Sequence, residues 1–279
     1  MRRRGFIALL GALGPPWSRA AAQTTRPRLL LVSHLPGASA TFALLRAGLA
    51  DFGYVDGRNI AIDEHLAKPA ELATYLLARK VDVIFATGPQ AVRTAVEATR
   101  NIPIVALDLE TDPVEAGYMR SFARPEGNVT GIFLDQPELA GKWLQYIKQV
   151  VPDGASIAAL WDPGTGPWQR RAVEQAARQL EVKLQVIEMR PEFDTVFAEV
   201  RAERVQGLVF LSSPVVSRYA ARWTAFASAA GLPTISLFPE FAHAGGLLAY
   251  GPDLNSLRRR AAIYEVEGVE ARRSAARAA

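Results

Sequence analysis

Short runs of apolar and β-branched residues alternate along this chain with longer segments whose apolar positions share one helical face. Residues 29–32, 59–62, 81–86 and 104–107 read as strands, and 39–52, 71–80 and 90–99 as the helices between them. Phe42, Leu45 and Leu49 lie on one face of the first helix. The run Arg124-Pro125-Glu126-Gly127-Asn128 breaks the pattern, which then resumes. Strands follow at 129–134, 157–161, 184–187, 208–211 and 234–237, with helices at 138–150, 169–180, 195–203 and 217–230 and a last strand at 247–250.

Strands that alternate with helices of this length predict parallel sheets with right-handed crossovers, an α/β fold. The strands are too many for one compact sheet, so the pattern predicts two Rossmann-like lobes. Residues 23–108 form the first and 109–237 the second; 238–264 return to the first, and 265–279 are an atypical tail. In open parallel sheets, ligands sit beyond the carboxyl ends of the strands. That rule directs attention to Ser33-His34, Thr87-Gly88, the stretch from Asp108 to Asp112, Trp161-Asp162, Ser212-Ser213 and Glu240.

Charge changes the picture at the ends. The net charge of +4 is matched by Arg2, Arg3, Arg4 and Arg19, which share residues 1–22 with no acid. The stretch 258–279 carries six Arg and three Glu, and its positive charge is offset by a slightly acidic body between the two ends. A basic face for nucleic acid is not indicated. The three N-terminal arginines, an apolar run over 6–13 and Ala20-Ala21-Ala22 follow the order of a cleavable export signal. Arg3-Arg4-Gly5-Phe6-Ile7 is similar to a twin-arginine motif. Export to the periplasm, with cleavage near Ala22, is the expectation. Cysteine is absent, which excludes disulfides, thiolate metal sites and a cysteine nucleophile.

Catalytic signatures are missing. There is no G-x-S-x-G, no H-E-x-x-H and no phosphate loop. Gly164-Thr165-Gly166 lacks the third glycine of a dinucleotide fingerprint and reads as a turn. His34, His65 and His243 are scattered, so neither a metal nor a cofactor is expected. Ser33, Thr87, Gly88, Ser212 and Ser213 offer hydroxyls and backbone N–H groups at helix starts, where a carboxylate is favoured or where they cap the helix. Asp108, Glu110 and Asp112 could meet a ligand ammonium, and Asp112 could equally cap the turn at Pro113. Trp161 could stack on a ligand or fill the core. Glu240 could reach the cleft or remain solvated.

The chain resembles the ABC transporter substrate-binding family related to the tryptophan-binding protein TrpX. The resemblance rests on an ordered set of stretches: GYVDGRNI at 53–60, VDVI at 81–84, IPIV at 102–105, DPVEAG at 112–117, ARPEGNVTG at 123–131 and EFAHAGGLLAYGPDL at 240–254. It implies a type I periplasmic-binding fold, capture of a small amino-acid-like or carboxylated solute, and delivery to an ABC permease and its ATPase. The membrane would be met only through the permease. An extracytoplasmic sensor using the same cleft, or an enzyme on the same frame, are the alternative readings. Relatives usually carry a small polar residue or proline where His34 stands. They also continue past this ending, so the segment after Tyr264 is expected to lack structure from about Gly268 and to leave a sheet edge unpaired.

Overall fold

The computed structural model describes residues 26–34, 39–66 and 69–278. The export signal expected over 1–22 lies outside them. The first sheet holds β1 (Arg28–Ser33), β2 (Ala61–Leu66), β3 (Val83–Thr87), β4 (Ile104–Leu107) and β5 (Val129–Ile132) in the order β2-β1-β3-β4-β5. The second holds β6 (Ser156–Trp161), β7 (Lys183–Glu188), β8 (Gly207–Phe210), β9 (Thr234–Ser236) and β10 (Leu248–Ala249) in the order β10-β9-β8-β6-β7. Every pairing in both sheets is parallel, as the alternating pattern predicts.

Side-chain alternation explains the layers of the first lobe. Leu29 and Leu31 point to one core while Leu30 and Val32 point to another. Phe42, Leu45 and Leu49 of α1 (Ser39–Asp51) cover the first face; Leu72 of α2 (Pro69–Ala78) and Ala91, Val92 and Ala95 of α3 (Pro89–Ala98) cover the second. A sheet covered on both faces reads as an unbroken apolar run, and β1 and β4 do.

In the second lobe, α4 (Gln136–Lys148) and α5 (Trp168–Gln179) pack together on one side of the sheet. Phe193 and Phe197 of α6 (Phe193–Ala202) gather around Trp223 of α8 (Ala220–Ala229), whose indole lies 5.6 Å from the Phe210 ring on β8. The helix expected over 217–230 is split into α7 (Pro214–Arg218) and α8 by a kink at Tyr219, and α9 (Pro239–His243) was not foreseen.

Three expectations are corrected. Residues 129–132, placed in the second lobe by the sequence pattern, are the fifth strand of the first sheet, because Ile104 to Leu107 pair with them in register. Residues 248–249, expected back in the first lobe, pair with β9 in the second. Only α10 (Leu254–Ala278) makes the return, lying along α1 and across β3, β4 and β5. The segment after Tyr264 is helical through Ala278. Its Ala, Arg and Glu residues are strong helix formers. Its buried face also continues through Ala261, Ala262, Glu265 and Val269, with Gly268 against Val83 and Pro103. Where α10 crosses α1, a Cβ on Gly48 would lie 2.4 Å from the Arg259 carbonyl oxygen, so only glycine allows this approach.

Glu265 is fully buried in α10, and neither carboxyl oxygen has a hydrogen-bond partner among the described residues. Burial pushes its pKa well above the ordinary 4.5. The fold therefore holds a proton that the unfolded chain releases near 4.5. Stability from this group is fully present below that value and is lost as pH rises towards the folded pKa. We expect Glu265→Leu to stabilise the protein at neutral pH by about 1–3 kcal/mol, the usual cost of an unsatisfied buried polar group. The gain should shrink on acidification. Thermal melts across pH check both points; an unchanged or lower Tm at neutral pH would contradict the reading.

Candidate functional site

Because both sheets are parallel, the carboxyl ends of β1, β3 and β4 open on one side of the first lobe, and those of β6 and β8 open on one side of the second. These two sides face each other. A cavity of about 160 Å³ lies between them, lined by His34, Thr87, Gly88 and Gln90 from the first lobe and by Asp162, Gly164, Thr165 and Val215 from the second. A larger and more open cleft of about 440 Å³ shares Thr165 with it and runs between Arg93, Asp112 and Tyr118 on one side and Trp168 on the other.

Gly88 shapes the first-lobe wall. It is the N-cap of α3 at φ 86° and ψ 158°, a conformation that side-chain-bearing residues rarely adopt. Its N–H donates to the Leu107 carbonyl at 2.9 Å. Glycine supplies no capping side chain, and α3 has no side-chain cap. The first-turn N–H groups of Gln90 and Ala91 lack intrahelical acceptors and carry the positive end of the helix dipole. Both residues line the cavity. His34 donates to or accepts from the Thr94 hydroxyl through Nε2 at 3.1 Å.

The second-lobe wall is built around Asp162. Its Oδ1 accepts the Gly164 N–H at 2.8 Å, capping the single 3-10 turn over Pro163–Thr165. Its Oδ2 accepts the Ser213 hydroxyl at 2.6 Å, while the same hydroxyl oxygen accepts the Val215 N–H at 2.9 Å. Two protein donors thus fix the carboxylate at the cavity wall.

The sequence-predicted residues fall into three groups. His34, Thr87, Gly88 and Asp162 meet in the inner cavity, and Asp112 lines the outer cleft. Asp112 is spent on capping, since its Oδ1 accepts the N–H groups of Val114 and Glu115 at 2.8 and 2.9 Å. Ser33, Asp108, Ser212 and Ser213 are buried at the floor. The Ser212 and Ser213 hydroxyls donate to the protein's own carboxylates, Glu110 at 2.7 Å and Asp162. Asp108 accepts the N–H groups of Glu110 and Thr111, both at 3.1 Å. Trp161 and Glu240 line neither cavity. The Trp161 indole donates to the Gly166 carbonyl at 3.0 Å under the Arg170 guanidinium, and Glu240 is exposed in the first turn of α9.

Sequence reasoning missed Gln90, Gly164, Thr165 and Val215. The signal was available: each lies one to three residues beyond a flagged position in the same strand-to-helix turn.

Residues 29–267 match the family model described as ABC transporter substrate binding protein. The chain belongs to that family. A tyrosine-binding protein of Clostridioides difficile is 33% identical over 123 residues, which is 41% of this chain and 34% of the relative; the match thus spans about a third of that protein. Two solved structures share the fold: a conserved domain protein from Vibrio cholerae, with TM-score 0.77 and 22% identity, and an ABC domain in complex with L-Trp from Streptococcus pneumoniae, with TM-score 0.76 and 19% identity. Each likeness covers 88% of this chain and 85% of the other. The two-lobed α/β architecture expected from the sequence is the one these structures have.

Burial pushes the His34 imidazole below its ordinary 6.5. For a group with a depressed folded pKa, stability is present above the unfolded value and is lost as pH falls below it. Nuclear magnetic resonance titration of His34 should give a midpoint below 6.5, and Thr94→Val should alter that midpoint. A midpoint at or above 6.5 would place His34 outside the cavity.

Proposed function

We propose that this chain is the periplasmic solute-binding component of an ABC-type uptake system. It captures a small amino-acid-like, carboxylated solute between its lobes and delivers it to a membrane permease and ATPase. The export-type N-terminus supports that location. The role is binding without turnover, in keeping with a family of binding proteins.

The observation that carries this reading is the uncapped start of α3 set opposite Asp162 across the inner cavity. Unsatisfied N–H groups at a positive helix end hold a carboxylate. A fixed carboxylate on the facing wall accepts an ammonium. A solute bearing both groups bridges the lobes and so favours their approach. The volume of about 160 Å³ lies below the range of pockets that take drug-sized ligands, which suits a solute of amino-acid size. The tyrosine-binding relative and the L-Trp complex support an amino acid as the solute class.

The test is a thermal-shift screen of the protein against the L-amino acids, followed by calorimetry of any that bind. At least one should raise Tm, since a ligand at a hundred times its Kd stabilises the folded state by about 2.7 kcal/mol. Asp162→Asn should then weaken binding roughly 10- to 100-fold, the loss of a charge-assisted hydrogen bond of about 1.5–3 kcal/mol. A screen with no shift would sink the capture of amino acids. An unchanged Kd in the variant would remove Asp162 from the site.

A further inference from the structure

Beneath the inner cavity, the segment that follows β4 carries two acids without an ion-pair partner among the described residues. Asp108 is fully buried and Glu110 is 3% exposed. The Glu110 Oε1 accepts a hydrogen bond from the Ser212 hydroxyl at 2.7 Å. Glu110 belongs to the first lobe and Ser212, just after β8, to the second. This is therefore a buried hydrogen bond across the two lobes. A second polar tie lies beside it, from the Gln136 side-chain amide of α4 to the Leu109 carbonyl. At the outer rim, Arg171 of α5 pairs with Glu115, but both are about half exposed, where such a pair contributes little.

We propose that Glu110 is the positioning residue for lobe closure: as a neutral carboxyl it accepts the Ser212 hydrogen bond and holds the floor of the cleft shut, and on ionisation it drives the lobes apart. This rests on the reading that the lobes open and close about the cavity. Burial and the neighbouring acids favour the neutral form of Glu110, and they outweigh the hydrogen bonds from Ser212 and the Leu109 backbone, which favour the charged one. Asp108, on its own segment, and Asp162, beyond β6, both repel a negative charge there. Arg93 of α3 acts on Asp108. Ser212 is the interlobe donor, and Gln136 is neutral. Burial first, and Asp108 second, push the Glu110 carboxyl up to about 8.

When the lobes part, water reaches Glu110 and relieves its burial, which outweighs the loss of the Ser212 donor, so its pKa falls back towards the ordinary 4.5. Closure therefore takes up one proton between these two values. The group's closed-state pKa is the raised one, so closure is fully favoured below 4.5 and the advantage is lost as pH rises through about 8. Within that window each pH unit changes the closed-to-open ratio by up to about tenfold.

Small-angle scattering of the ligand-free protein tests this without knowledge of the solute. Between pH 6 and pH 9 the parent should expand. Glu110→Gln should remain compact at both, because the amide oxygen still accepts from Ser212 and cannot ionise. Ser212→Ala, which leaves the acid in place, should expand at a lower pH than the parent. A parent with equal dimensions at both pH values would overturn the proposal, as would a Gln variant that expands like the parent. Failure of amino-acid capture is a separate result. A protein that binds no amino acid yet expands only when Glu110 can ionise keeps this assignment. One that binds an amino acid with pH-independent dimensions loses it.

Discussion

A strand in a parallel sheet cannot turn straight back into its neighbour; a crossover must first carry the chain to the other end. That constraint organises this molecule. Each crossover begins at the carboxyl end of a strand with a polar turn and a helix start. The ten parallel strands of the described residues, in two sheets, therefore collect their polar turns on two surfaces. Where these surfaces face each other, helix donors and turn carboxylates share one small space. The apolar runs fill the sheets, and the residues between run and helix have nowhere to go but the cleft.

The polar groups at that cleft are satisfied unevenly. The second lobe uses part of its capacity on itself: Asp162 caps the 3-10 turn, Ser213 caps α7, and the two hydrogen-bond to each other, which leaves the carboxylate lone pairs not used by Gly164 and Ser213 for a ligand. Asp108 turns its Oδ1 onto the backbone of its own segment. By contrast, α3 begins at a glycine and offers its first-turn donors to the cavity. The same contrast holds for the two serine hydroxyls. A hydroxyl has one proton, and those of Ser212 and Ser213 are given to Glu110 and Asp162.

Much of the fold was legible because periodicity reports it. The pattern at 104–107 coincides with β4, and other element ends moved by only a few residues. Lobe membership was less legible, because it depends on long-range pairing that local pattern does not encode. Residues 129–132 look the same whether they join the first sheet or start the second, and only their register with Ile104–Leu107 decides it. The C-terminal segment misled for another reason. It was expected to lack structure from about Gly268, yet Val269 and Glu265 repeat the spacing of Ala261 and Ala262 and the helix stays docked. At the site, strand ends pointed to His34, Thr87, Gly88 and Asp162, but not to which hydroxyl faces inward. That choice is made by hydrogen bonds between residues as distant as Glu110 and Ser212.

The two lobes are tied by unequal means, and this determines where motion can occur. Each lobe has its own packed sheet, and close packing resists bending within it. The chain passes between lobes after β5, where Asp135 caps α4, and again after β10, where Asp253 caps α10 through the N–H groups of Asn255 and Ser256 at 2.9 and 3.2 Å. Both crossings end on a capped helix, so each helix is held to its own lobe while the few residues before it can change their dihedral angles. The Trp143 indole of α4, bonded to the Tyr250 carbonyl at 2.8 Å, keeps the two crossings side by side. Two adjacent strands of backbone make a hinge with one principal axis. The named ties across the cleft are polar, so opening exchanges them for water at small net cost, except at Glu110, where the arrival of water changes the charge of the group itself.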